Sequence, residues 1–146
     1  MKIFSDMSLL HPEFRRVVMR LHDDLIRAYH SKATKTRFEV FETYRDPIRQ
    51  GELLSRGATK AAMFHSAHQF GLAVDFVPWL DATEANEMAE ALDEKVLPGW
   101  NWSSRNDWDF LRQKAVFHGL NNSIAWDRAH VESKRWPAVK RAMFAD

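Results

Sequence analysis

The chain has 146 residues, no cysteine, and 21 Lys and Arg against 20 Asp and Glu. That length suits one domain with a sizeable core, and the missing cysteines exclude disulfides and thiolate zinc sites alike. The balanced charge lacks the basic footprint of a nucleic-acid binder, and no apolar run approaches the roughly 18 residues of a membrane span.

The N-terminal segment MKIFSDMSLLHPEF is broken by acidic and polar residues too early for a signal peptide. Synthesis in the cytoplasm is therefore expected. Residues 12–30 place Phe14, Val17, Val18, Leu21, Leu25, Ile26 and Tyr29 at three- and four-residue spacing, which predicts an amphipathic helix with Pro12 in its first turn. Residues 36–44, TRFEVFETY, set Phe38, Val40 and then Thr43 or Tyr44 against charged neighbours and read as a half-buried strand. Asp46-Pro47 opens a short helix that ends near Gly57.

LAVDFVPWL has the near-continuous apolar character of a central strand, ended by Pro78. Residues 82–93 and 104–117 read as helices, with Gly119 stopping the second. IAWDRAHVE reads as a further strand or hairpin arm, and RWPAVKRAMF as a short closing helix. There is no internal repeat, no linker and no regular βαβ alternation. The expectation is one domain over residues 1–146, of α+β class, with a small, mostly antiparallel sheet flanked by helices.

Asp75 interrupts an otherwise apolar strand, and a lone buried carboxylate needs a cation, a metal or strong hydrogen bonds. His68 lies seven residues before it, and Asp127 and His130 lie three apart near the second strand. If the two strands are neighbours, His68, Asp75 and His130 converge. Two imidazoles and a carboxylate are a normal protein ligand set for catalytic zinc, with Asp127 left to take a proton from the attacking water. A chain with seven histidines also offers such combinations by chance, so hydrogen-bonded structural histidines remain the alternative on spacing alone.

Ser66-x-His68-x-x-Gly71-x-Ala73-x-Asp75, followed by Asp127-x-x-His130-Val131-Glu132, resembles the zinc DD-peptidase group. That group includes D-alanyl-D-alanine carboxypeptidases and dipeptidases, and the L-alanyl-D-glutamate peptidases that phages use as endolysins. Thr43-Tyr44-Arg45, with Gln50 following, is similar to the group's upstream segment, so the resemblance spans residues 36–132. It implies that His68, Asp75 and His130 hold Zn2+, that Asp127 is the general base, and that Arg45 holds or polarises the substrate carbonyl. Ser66 would line the substrate site, with Gln50 and Trp126 as further substrate contacts. Asp127 stands where many members carry Glu, as in the endolysin-like branch. Ala129 stands where relatives often have a bulkier residue, which leaves substrate choice open.

The expected activity is a zinc-dependent peptidase acting on the peptidoglycan stem peptide at the L-alanyl-D-glutamate bond. It would serve as a monomeric phage or prophage endolysin that reaches the wall through the host periplasm, with no nucleic-acid or membrane partner. The alternatives are a D-Ala-D-Ala carboxypeptidase or dipeptidase, and a non-catalytic zinc-containing wall-binding module. Trp100, Trp102 and Trp126 are the best placed of the six tryptophans to stack on sugars, although Trp in a small domain is more often core. His65 and Glu132 are candidates for supporting roles. The basic run KRWPAVKR reads as a solvated helix face.

Overall fold

Five α-helices surround four short strands among the described residues of the computed structural model, which are 3–59, 61 and 65–144. The central strand β2 (Ala73–Leu80) is buried on both faces along almost its whole length. Strand β1 (Phe38–Glu42) pairs with it antiparallel, with Phe38 opposite Pro78 and Glu42 opposite Asp75. Strand β3 (Gly99–Trp100) pairs antiparallel with Trp79 and Leu80, and strand β4 (His130–Glu132) with Ala73 to Asp75. Because Asp75 faces Glu42 on one side and His130 on the other, β4 lies on the edge opposite β1. The α+β class and the antiparallel sheet are as the sequence predicts.

Helix α1 (Pro12–His30) turns Phe14, Val18, Leu21, Leu25 and Ala28 inward, the face its apolar spacing marks out. It packs on β1 and on helix α4 (Trp108–Phe117), closing a core that includes Phe38, Phe76, Leu111 and Val131. Helix α2 (Pro47–Ser55) starts where Asp46 accepts the Arg49 N–H (2.8 Å). Helix α3 (Ala82–Leu92) opens on a capping box of Asp81 and Glu84, and helix α5 (Trp136–Phe144) ends the described chain. No helix among the described residues is long and apolar enough to cross a membrane.

Four expectations need correction. Pro78 does not end β2, which runs on to Leu80. The Trp79 N–H bonds to Arg37 on the β1 side, whereas the Pro78 carbonyl accepts the Asn101 N–H on the other edge. The ring nitrogen of Pro78 faces that same edge, in the gap between the segments paired by β4 and β3, where no ladder donor is needed. Second, only His130–Glu132 of the stretch 124–132 is strand, and the residues before it form turns. Third, α4 starts at Trp108, later than the 104 expected, because residues 101–106 are held in a hydrogen-bonded loop. Fourth, β1 is shorter than the expected 36–44 and carries a bulge between Val40 and Glu42. The extra residue, Phe41, shifts the alternation so that Glu42 leaves the face of Phe38 and Val40 and shares that of Asp75, where it is buried.

Candidate metal centre

His68 sits on a 3-10 turn, Ala67–Phe70, built by its flanking residues. The Ser66 hydroxyl accepts the His68 N–H (3.3 Å), and Gln69 Oε1 accepts the Ser66 N–H (3.4 Å). Gly71 ends the turn at φ +67°, and a Cβ there would lie 2.8 Å from the His11 nitrogen and 3.0 Å from the Leu9 carbonyl oxygen. Both the conformation and the space require glycine. Gly71→Ala is expected to destabilise the fold by about 1–3 kcal/mol, read as a lower urea midpoint, and an unchanged midpoint would contradict this packing.

The two histidines are oriented in the same way. His68 Nδ1–H donates to the Thr43 carbonyl (2.8 Å), which turns Nε2 to within 3.1 Å of Asp75 Oδ1. His130 Nε2–H donates to Glu132 Oε1 (2.8 Å), which turns Nδ1 to within 3.5 Å of the same Asp75 oxygen. One ligand atom from each of the three residues falls within 4.8 Å of the others, and all three side chains are buried. With their outer nitrogens committed as donors, both rings present lone pairs to a carboxylate oxygen. Such a cluster is stable only around a cation, whether a shared proton or a metal ion. An anchored outer nitrogen on each imidazole is the arrangement that fixes a metal-binding tautomer. The residues fit a metal ion.

Asp75 Oδ2 is held from behind by Arg45 Nη2 (3.5 Å). Arg45 is in turn fixed by Glu42, which accepts from Nε (3.1 Å) and Nη2 (2.8 Å), and by Gln50 Oε1, which accepts from Nη1 (2.9 Å). Arg49 donates to the same Glu42, and Gln50 Nε2 donates to the Ala61 carbonyl (2.6 Å). Glu42 is not among the sequence candidates, because regular alternation keeps it on the face of Phe38 and Val40 and only the bulge turns it to that of Asp75. The arginines three and seven residues after it were the available signal.

Asp127 closes a tight turn. Its N–H bonds to the Ile124 carbonyl (3.1 Å), and its own carbonyl accepts the His130 N–H (3.2 Å), which accounts for the Asp-x-x-His spacing. Asn122 pins the same turn by donating to the carbonyls of Arg128 (2.7 Å) and His130 (3.0 Å). Asp127 lines a groove with Trp102, Trp126, Arg128 and Ala129, and Trp126 is half exposed there. Ser66 acts as the cap of the His68 turn. Gln50 has no exposed surface (0%) and contacts Arg45, so it stands behind the groove and does not line it.

In the metal-free protein the cluster holds protons in an unusual way. Burial disfavours a charged His130, yet its bonds to Asp75 and Glu132 outweigh this and push it from 6.5 up to about 10. Burial likewise opposes the Asp75 charge, but His68 and His130 hold its carboxyl well below the ordinary carboxylate range. Asp127 moves the other way, pushed up to about 6 by burial and then by the negative Asp75. Because the folded state raises His130, its contribution to stability is complete below pH 6.5 and is lost as pH rises towards about 10. A metal ion requires the deprotonated ring and replaces that proton. The melting temperature of the metal-free protein is therefore expected to decline across this window, and that of the metal-loaded protein to stay nearly level. Calorimetry at several pH values checks this, and a metal-free melting temperature that climbs instead would refute the arrangement.

No protein-family model matches the chain, and no curated protein does. Among solved structures, the Serratia marcescens L-Ala D-Glu endopeptidase ChiX matches over 94% of this chain and 93% of its own, with a TM-score of 0.52 and 19% identity. The chain shares the fold of that solved structure. The similarity covers the chain nearly end to end.

Proposed function

We propose that the chain is a zinc-dependent peptidoglycan peptidase that cleaves the L-alanyl-D-glutamate bond of the stem peptide. The observation that carries this reading is the buried His68, Asp75 and His130 cluster, set beside Asp127 in an endopeptidase fold. Zinc suits two imidazoles and one carboxylate, and when bound there it supplies a Lewis acid that acidifies water and polarises a carbonyl. Glu132 and the Thr43 carbonyl keep the two rings aimed inward.

Asp127 takes a proton from the attacking water and passes it to the leaving D-glutamate amine. Arg45 anchors the far oxygen of Asp75 and adds positive charge where the substrate oxygen turns negative. The protein acts as a monomeric phage or prophage endolysin that reaches the wall from the host periplasm.

The test is digestion of purified Gram-negative peptidoglycan with and without a chelator, followed by mass spectrometry. Chelator-sensitive release of peptides that begin at D-glutamate, leaving glycan strands that keep only L-alanine, is the expected result. Loss of terminal D-alanine alone would assign a carboxypeptidase instead. Bound zinc with no cleavage would favour the non-catalytic module.

A further inference from the structure

Three tryptophans are about half exposed, Trp100 at 40%, Trp102 at 53% and Trp126 at 50%, while Trp108 and Trp136 are buried in the core. Exposing an indole forfeits the large area that usually draws Trp inside. Trp100 and Trp102 are nevertheless held firmly. Phe41 meets both edge-on, with centroids 5.1 and 5.3 Å away, and Trp79 meets Trp100 edge-on at 5.1 Å.

The loop carrying Trp102 is tied down as well. Asn106 Nδ2 donates to the carbonyls of Asn101 (2.9 Å) and Ser103 (3.0 Å), and Trp108 Nε1–H donates to the Ser103 carbonyl (2.9 Å). These exposed indole faces are therefore fixed in place before any ligand arrives. Trp102 and Trp126 border the groove that also holds Asp127, and Trp102 with Trp100 borders a larger groove beside α3. Two arginines at the rims are matched by acids, Arg128 by Asp109 and Arg105 by Glu94 (2.7 Å). Paired rims and flat aromatic faces suit an uncharged polyhydroxyl ring better than a polyanion.

The substrate chemistry supplies the occupant. In peptidoglycan the amine of L-alanine is acylated by the lactyl group of N-acetylmuramic acid. Only the alanine residue and the lactyl ether then separate the scissile carbonyl from a pyranose ring, so a base acting on that bond has the sugar close by, within reach of the adjoining groove. We propose that Trp102 and Trp126 form a binding site for the N-acetylmuramyl sugar of the substrate. The larger groove past Trp100 takes the glycan strand onward. This assignment rests on the endopeptidase reading above.

Two measurements test it separately from that reading. The intact protein is titrated with a peptide-free GlcNAc–MurNAc disaccharide while its indole N–H resonances are followed. The Trp102 and Trp126 signals are expected to shift and those of Trp108 and Trp136 to stay. Cleavage is then compared between a disaccharide-bearing stem peptide and the same peptide without sugar. The wild type is expected to favour the first, and Trp102→Ala and Trp126→Ala to reduce that preference by about tenfold, mainly through KM, with Trp102→Phe retaining part of it. Equal treatment of both substrates, with no indole shift, would overturn the sugar site and leave the peptidase reading intact. Disaccharide bound at these two indoles with neither substrate cut would uphold the site and defeat the peptidase reading.

Discussion

Asp127→Ala is expected to lower kcat on a muropeptide by about 10²–10⁴-fold while the protein still binds one zinc ion, since general-base catalysis contributes on that scale. The argument is geometric first. Asp127 shares a turn with His130 and borders the open groove, whereas the three ligand candidates are buried side by side behind it. Removing its carboxylate takes away a proton acceptor without removing a ligand. In the metal-free protein this carboxyl is pushed up to about 6, chiefly by burial and by the Asp75 charge. A bound divalent cation adds positive charge nearby and draws it down towards the ordinary carboxylate range.

The acid limb of kcat/KM should therefore fall at or below about 6, with activity lost as pH drops through it. Metal content is checked by elemental analysis and turnover by chromatography of the products. An alanine variant as active as the parent would end the assignment of Asp127 as the base.

The second large effect concerns stability. Glu42→Ala is expected to destabilise the protein by about 3–5 kcal/mol, because breaking a buried ion pair leaves uncompensated charge behind. Glu42 is 1% exposed and accepts bonds from both Arg45 and Arg49, each itself buried. Without it, two guanidinium groups share one small space. Among the described residues Arg45 then keeps Gln50 and Asp75 as side-chain partners, and Asp75 is pulled away from the imidazoles. Glu42→Gln, which keeps an acceptor but not the charge, should fall between the two. Urea unfolding reads both variants, and metal affinity is expected to weaken in the same order. An alanine variant within about 1 kcal/mol of the parent would show the cluster to be surface-like in energy, as for solvent-screened pairs.

These two positions mark where the sequence was legible and where it was not. The convergence of His68, Asp75 and His130 could be read because their chemistry is rare inside apolar segments and their order follows a recognisable spacing. The long helices could be read from periodicity. Glu42 could not, since a bulge is a one-residue change of phase that alternation rules do not see. Pro78 misled for a related reason. A proline stops a strand only where its missing N–H would have met a partner, and here it falls in a gap between β4 and β3. Glu132 reads equally well as a strand-surface acid or as support for a ligand, and β4 places it beside the outer nitrogen of His130. Ser66 and Gln50 are expected as substrate contacts, and the fold shows tasks that spacing does not reveal, capping the His68 turn and bracing Arg45.

The bulge in β1 also bears on how this chain tolerates insertion and deletion. The one extra residue sends Glu42 towards the arginines and Asp75, and leaves Phe41 bracing Trp100 and Trp102. Deleting Phe41 would restore regular pairing and keep Glu42 opposite Asp75, but would remove the ring that braces Trp100 and Trp102. A strand shortened at Phe41 should therefore lose the aromatic shelf while keeping the polar cluster, so the inserted residue serves the indoles and its loss leaves the carboxylate in place.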